Sequence, residues 1–234
     1  SIRLVKQGDR DRILEAKHHH ELAALYDDPA YPTPLVTPSE IASLHPLVDV
    51  SQLELGLRTV NDGDGDPTLL TNSLAARAKR DGAELFLDSE VTKISKNPIG
   101  GEFKIEFKGR EPEYADAVVN ATGLWSQRLS EQMGLVDKHP AFVIEHHYAV
   151  TEPIEKLKEL RQQGHRVPVL RDLAGSAYIR QEQDGILVGP YEELPTEAVH
   201  SEWGRQGPPL TWAWDLFPDQ VERLYGVMEH AMEP

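Results

Sequence analysis

The first apolar run, residues 1–5, predicts the end of a strand, after which the period changes. Between Arg10 and Tyr26, Leu14, Leu22 and Leu25 fall roughly on one side of a helix. Prolines 29, 32, 34 and 38 predict an irregular segment over 27–38. Thr37-Pro38-Ser39-Glu40 then marks a helix start, with Thr37 as N-cap, Pro38 in the first turn and Glu40 completing a capping box. That short helix is expected to stop near His45-Pro46. Asp66-Pro67 is a second start, for a helix reaching Arg80 and closed by Gly82. Leu70, Leu74 and Ala78 recur at i+4 and are expected to face inward.

Strand patterns follow. Residues 84–94 carry apolar marks at Leu85, Leu87 and Val91, and Phe103 to Phe107 alternates strictly, predicting one buried face. Gly100-Gly101 and Lys108-Gly109-Arg110 bound that strand as turns. Residues 114–119 are expected to return as a buried parallel strand. It feeds a turn of small residues, Asn120 to Gly123, and a helix from Trp125 to Met133 closed by Gly134. A strand over 142–150 and a charged surface helix over 155–163 come next. Residues 169–172, 177–181 and 186–189 then predict an antiparallel meander distinct from the first sheet, with Asp184-Gly185 as a hairpin signal. Trp203 to Trp214 reads as an irregular loop. A last helix is expected over 218–232, with Val221, Leu224 and Met228 on one face. This order predicts an α/β (α+β) protein: a helix-flanked sheet with an inserted β-meander, then a separate antiparallel sheet.

Composition narrows the function. A formal charge of −15 leaves no basic stripe to neutralise phosphates, which argues against nucleic-acid or anionic-membrane partners. No apolar run approaches a membrane span of ~18 residues. The 234 residues contain no cysteine, which excludes disulfides, iron–sulfur clusters and thiol catalysis. The start, Ser-Ile-Arg-Leu, has neither an initiator Met nor a signal pattern, so the chain is expected to be a fragment of a larger protein. No metal site is expected. Asn61 to Pro67 suggests a calcium loop, but counting from Asp62 the sixth and twelfth places hold Pro67 and Ser73. Three adjacent histidines, His18 to His20, point in three directions on a helix.

Candidate chemistry gathers on two predicted strands. Alternation places His146 and Tyr148 on one face with His147 opposite, and puts Tyr178 and Arg180 together. Such a set suits a small carboxylate and an amine proton: Arg supplies the anion contact, His and Tyr the hydrogen bonds and a group titrating near neutrality. Boundary residues of a half-solvated sheet would give the same pattern. No nucleophile elbow, Walker loop or zinc spacing is present.

The Ala121-Thr122-Gly123 turn resembles that of the FAD-dependent oxidoreductases related to D-amino acid oxidase. Asp66-Pro67, the run His146 to Thr151, and the run Pro168 to Glu192 are similar to the dimethylglycine dehydrogenase and sarcosine dehydrogenase group. The resemblance implies a partial FAD-binding, Rossmann-like domain beside an antiparallel substrate domain. Expected boundaries are 1–60 as substrate-domain or connecting segment, 61–137 as part of the FAD domain, and 138–234 as the substrate sheet and last helix. It implies oxidative demethylation of an N-methylated glycine, dimethylglycine or sarcosine, with hydride passing from the N-methyl carbon to flavin N5. His146 and Tyr178 match the catalytic substrate-side pair. Val91, Thr122, Gly123 and Trp125 fall on the FAD side. Arg180, Arg171 and Tyr148 are assigned to the substrate on charge and position. Implied partners are the N-methyl amino acid, an electron-transferring flavoprotein, and tetrahydrofolate through a further domain. Eukaryotic members are mitochondrial-matrix proteins and bacterial ones cytoplasmic. The family's Gly-x-Gly-x-x-Gly fingerprint is missing, so a non-catalytic regulatory relative that binds a partner protein is the competing reading.

Overall fold

The computed structural model describes residues 1–26, 31–135, 137–138, 140, 142–192, 199–214 and 216–231. Pro29 and Met232 lie outside them. The first half of the chain runs β1 (Ile2–Lys6), α1 (Arg10–Tyr26), β2 (Leu35–Val36), α2 (Pro38–Leu44), β3 (Leu53–Arg58), α3 (Pro67–Arg80), β4 (Val91–Lys96), β5 (Phe103–Phe107) and β6 (Arg110–Ala115). The second runs α4 (Ser126–Gln132), β7 (Ala149–Val150), α5 (Glu155–Gln162), β8 (Leu170–Asp172), β9 (Ala177–Glu182), β10 (Gly185–Pro190) and α6 (Val221–Ala231). Two compact units result, one from residues 1–65, 146–193 and 219–234, the other from 66–145 and 194–218.

The first unit holds a seven-stranded sheet in the order β2-β3-β1-β8-β9-β10-β7. The expected meander is there as β8-β9-β10, but the N-terminal strand joins it: β1 pairs parallel with β8. Ile2 and Leu4 of β1 face one core with Ile41 of α2, Leu157 of α5, Leu170 of β8 and Ile179 of β9. Val5, on the other face, packs with Ala16 of α1 and Leu57 of β3. The sequence reading passed over β3. Its Leu53, Leu55 and Leu57 do alternate, but a register shift between Val5 and Lys6 sets Leu55 against Val5 and Leu53 against Lys6. One extra residue in β3 therefore moves Leu53 to the opposite face from Leu55. The two-residue β2 was also missed inside the proline-rich stretch. α1 keeps its expected span but not its expected face. Leu14 and Leu25 are largely exposed, and Ala16 with Ile13 makes the contact. A helix this polar meets the sheet along a narrow line that only small and adjacent apolar residues fill.

Local signals in this unit held. The capping box of α2 forms, Thr37 accepting from Glu40 N and Glu40 accepting from Thr37 N at 2.7 Å. Hairpin β9–β10 turns through Gln183-Asp184, with Gln183 at φ 53°. The last helix begins at Val221 rather than Pro218.

The second unit contains the three-stranded antiparallel sheet β4-β5-β6. Asp66 caps α3 through Leu69 N, and Gly82 at φ 100° closes it. None of its residues is buried, so the inward face expected of Leu70 and Leu74 is not formed. The strand expected to begin at residue 84 begins at Val91. β5 has half-buried residues on both faces rather than one buried face. The edge of β4 is closed by Gln132 of α4, which accepts from Ile94 N and donates to Thr92 O. Residues 117–119 do not form the expected parallel strand; Val119 is 86% exposed. A buried parallel strand exists only with hydrogen-bonded neighbours, and no described segment pairs with this one. Residues 142–148 likewise yield a single bridge, Ile144 to Val199, in place of a strand. The Trp203 to Trp214 stretch is not wholly irregular: it follows a 3-10 turn over Ser201–Trp203 and ends in another over Leu210–Trp214.

Candidate functional site

β9 alternates as its sequence requires. Ala177, Ile179 and Gln181 are buried, and Tyr178, Arg180 and Glu182 lie half-buried on the other face. Cross-strand register places Arg171 of β8 and Gly189 of β10 on either side of Tyr178. Residues directly opposite in antiparallel strands share a face. Arg171, Tyr178 and Gly189 therefore form a row across the sheet.

The Tyr178 ring occupies the space that Gly189 leaves. A Cβ at Gly189 would stand 2.1 Å from Tyr178 Cε1 and 2.6 Å from Oη. Over this row three rings meet. His146 lies 5.8 Å from Tyr178 and 5.1 Å from Tyr191, and the two tyrosines are 5.9 Å apart. Tyr178 and Tyr191 border a cleft of about 130 Å³ whose walls include Arg171, Arg12 and the buried Asp172. Asp172 is occupied: its Oδ1 accepts from Ala174 N and Gly175 N, and Lys6 stands 3.7 Å from Oδ2.

The two arginines differ. Arg180 is paired with Glu182 at 2.6 Å and with Asp64 at 3.6 Å. Asp64 also meets Arg166 at 3.1 Å, so the glycine-rich 61–67 stretch serves as an acidic anchor for β9. Among the described residues Arg171 has no ion pair, and it faces the cleft. Tyr148 does not line this cleft. The expected strand through 146–148 is absent, so alternation does not govern these side chains. Tyr148 and His147 border a second cleft of about 300 Å³ along α6, beside Leu224 and Tyr225.

Electrostatics suit proton handling. Burial holds the His146 imidazole below its ordinary range; Glu192 opposes this shift and His147 adds to it. Burial, with Tyr191 beside it, pushes the Tyr178 phenol up. Near neutrality His146 is thus an uncharged base and Tyr178 a protonated donor.

Tyr191 was not singled out as a site residue from the sequence. Its signal was present in β10: Gly189 lies opposite Tyr178, and Tyr191, two residues on, falls on the same face. Its N–H donates to Ser176 O at 2.6 Å. The next residue, Glu192, takes a two-point hydrogen-bonded pair from Arg223 at 2.8 and 3.3 Å.

The cofactor-side residues all fall in the second unit. Gly123 opens a 3-10 turn at φ 54°, with no atom within 4 Å of the Cβ position. Asn120 braces the turn by donating to Ser126 O and accepting from the Thr122 hydroxyl. The Trp125 indole N–H is used, donating to Pro208 O at 2.8 Å, so Trp125 can offer only its ring. Val91 begins β4 opposite Phe107. The open, small-residue turn fits one wall of a dinucleotide site, since backbone can approach a ligand there. A glycine fingerprint for the remaining phosphate wall occurs nowhere in the 234 residues. Among the described residues no His, Asp or Glu group is arranged to hold a metal. No described helix is long and apolar enough to cross a membrane.

In the first unit, an uncharged base lies beside a phenol, and an arginine without an ion pair among the described residues borders the same cleft as that phenol. The comparisons state the family. Residues 7–231 match the model of the FAD dependent oxidoreductases, and the chain belongs to that family, whose cofactor is FAD. It is 36% identical over 199 residues to mouse mitochondrial dimethylglycine dehydrogenase and 29% identical over 193 residues to human mitochondrial sarcosine dehydrogenase. These alignments cover 85% and 80% of this chain but only 22% and 20% of those proteins. The fold matches L-proline dehydrogenase from P. horikoshii, with a TM-score of 0.72 at 24% identity, over 98% of this chain and 54% of that one. The expected mixed α/β, D-amino acid oxidase-like fold therefore holds, although the sequence reading missed β2 and β3 and expected strands over 117–119 and 142–148 that do not form.

Proposed function

We propose that this chain serves the FAD-dependent oxidative demethylation of an N-methylated glycine, dimethylglycine or sarcosine, within an amine dehydrogenase. The observation that carries the reading is the stacking of His146 on Tyr178 beside Arg171, whose guanidinium makes no ion pair among the described residues. The similarity to the two N-methylglycine dehydrogenases supports it.

On this reading each residue has a task. Arg171 holds the substrate carboxylate by charge-assisted hydrogen bonds. Arg180, its charge already met by Glu182 and Asp64, orders β9. His146, uncharged at neutral pH, takes the ammonium proton and frees the nitrogen lone pair. The Tyr178 hydroxyl stays protonated and hydrogen-bonds the nitrogen or carboxylate, fixing the N-methyl group's direction. Tyr148 is left as a residue of the neighbouring cleft. Thr122 and Gly123 form a wall of the FAD site through their backbone, Trp125 backs it with its ring, and Val91 borders the adenine side. Bound FAD supplies the hydride acceptor. Segment 61–137 is then part of the flavin domain, while 1–60 and 138–234 belong to the substrate side. An electron-transferring flavoprotein receives the electrons, and tetrahydrofolate acts through a further domain.

The test is anaerobic mixing of the flavin-loaded parent protein with dimethylglycine and, separately, sarcosine. Loss of the flavin absorption band supports the proposal, and its slowing in His146→Ala assigns the base. An unchanged spectrum with both amines removes the proposal.

A further inference from the structure

The proposed chemistry leaves Tyr191 without a task, although the fold fixes it with some care. Its backbone is bonded to Ser176, and its neighbour Glu192 is clamped to α6 by Arg223, both side chains of that pair being about nine-tenths buried. Despite this fixed backbone, the ring is half exposed and contributes to the cleft wall. Tyr191 also stands nearer to the proposed base than Tyr178 does, 5.1 Å against 5.8 Å between ring centroids. Of the two tyrosine rings beside His146, that of Tyr191 is therefore the nearer.

We propose that Tyr191 is a specificity-determining residue that recognises the alkylated ammonium group of the substrate. This rests on the demethylation reading above. An N-methylated ammonium carries positive charge on its methyl groups and is weakly hydrated, so aromatic faces attract it at low desolvation cost. An unmethylated ammonium is held more strongly by water. Tyr191 and Tyr178 together supply two such faces, and Arg171 supplies the opposite charge at the carboxylate end. The cleft then selects amino acids by N-methylation and not by side chain.

The probe is trimethylglycine, whose nitrogen has no proton to lose. Its binding to the flavin-loaded parent protein is followed by calorimetry beside acetate, which has the carboxylate alone. Tyr191→Phe keeps the aromatic face and is expected to bind trimethylglycine within about twofold of the parent. Tyr191→Leu keeps apolar bulk without the face and is expected to lose roughly tenfold. Acetate affinity is expected to be unchanged in both. Equal trimethylglycine binding by the Leu variant and the parent overturns the role of Tyr191 while leaving the demethylation reading intact. An equal loss for acetate also overturns it, since the site as a whole has then moved. Absence of trimethylglycine binding by the parent, with no bleaching by dimethylglycine, overturns both.

Discussion

Tyr178 lies across Gly189, in the space where any other residue would carry its Cβ. Gly189 is not at positive φ, so alanine strains no backbone there. The cost of Gly189→Ala is the displacement of the Tyr178 ring, about 1–3 kcal/mol of overpacking. Expected outcomes are a modest fall in denaturation midpoint and a much larger fall in the rate of flavin reduction by amine. An alanine variant with normal reduction kinetics would show that the seat of the Tyr178 ring is immaterial to chemistry.

The arginines separate by partnership. Arg180 is committed to Glu182 and Asp64, whereas Arg171 faces the cleft without an ion pair. Arg171→Ala should raise KM for the amino acid roughly ten- to a hundredfold, the loss of about 1.5–3 kcal/mol for a hydrogen bond to a charged group. Arg180→Ala should lower kcat and stability more than affinity, because it loosens the half-exposed face of β9. Steady-state kinetics of both variants decide it; the reverse pattern would move the carboxylate to Arg180.

What could be read in advance was local. The capping box at Thr37 and the Asp66-Pro67 start depend on residues within one turn, and both helices begin where those residues stand. Strand pairing is not local. The apolar Val118-Val119 looked like a buried strand because composition shows what a segment can bury, not whether a partner arrives. Leu53, Leu55 and Leu57 alternate, so β3 itself was legible in the sequence; the bulge that moves Leu53 to the opposite face from the other two was not. The site divides likewise. His146 and Tyr178 were candidates from strand alternation and became a pair through the family resemblance; alternation holds for Tyr178 in β9 but fails at His146 and Tyr148, where no strand forms. Tyr191 needed the register of β9 on β10.

His45 ends α2 with its ring buried and, among the described residues, no hydrogen-bond partner for either ring nitrogen. Burial lowers its pKa to about 4 from the ordinary 6.5. The unfolded chain therefore binds a proton at His45 below pH 6.5 that the folded chain refuses until about pH 4. Stability is full above 6.5 and falls on acidification through that window, by roughly 3 kcal/mol in all. Urea denaturation at pH 7 and pH 5 measures the loss. His45→Leu should flatten the slope, and an unchanged slope would place the acid sensitivity elsewhere.

His200, in the second unit, carries the opposite sign. Its ring stacks on Trp203 at 4.4 Å and on Phe217 at 4.6 Å, and those two rings stand 5.8 Å from each other. Its nitrogens meet Glu202 at 2.9 Å and Glu145 at 2.8 Å. Burial alone would lower its pKa, but the hydrogen bonds to the two carboxylates outweigh that and raise it. A raised pKa means that the folded chain holds the proton more tightly than the unfolded one. The contribution is therefore complete below pH 6.5 and is lost as pH rises through the folded value. In a proton NMR titration the His200 ring should reach its midpoint above 6.5, and Glu145→Gln, which keeps the shape but removes the charge, should bring the midpoint down. Since acid weakens the first unit through His45 and base weakens the second through His200, denaturation followed by tryptophan fluorescence should track the second. All four tryptophans lie in its 66–145 and 194–218 segments. The fluorescence midpoint should then fall from pH 6 to pH 8 in the parent and fall less in Glu145→Gln; a midpoint that rises over this range would contradict the assignment.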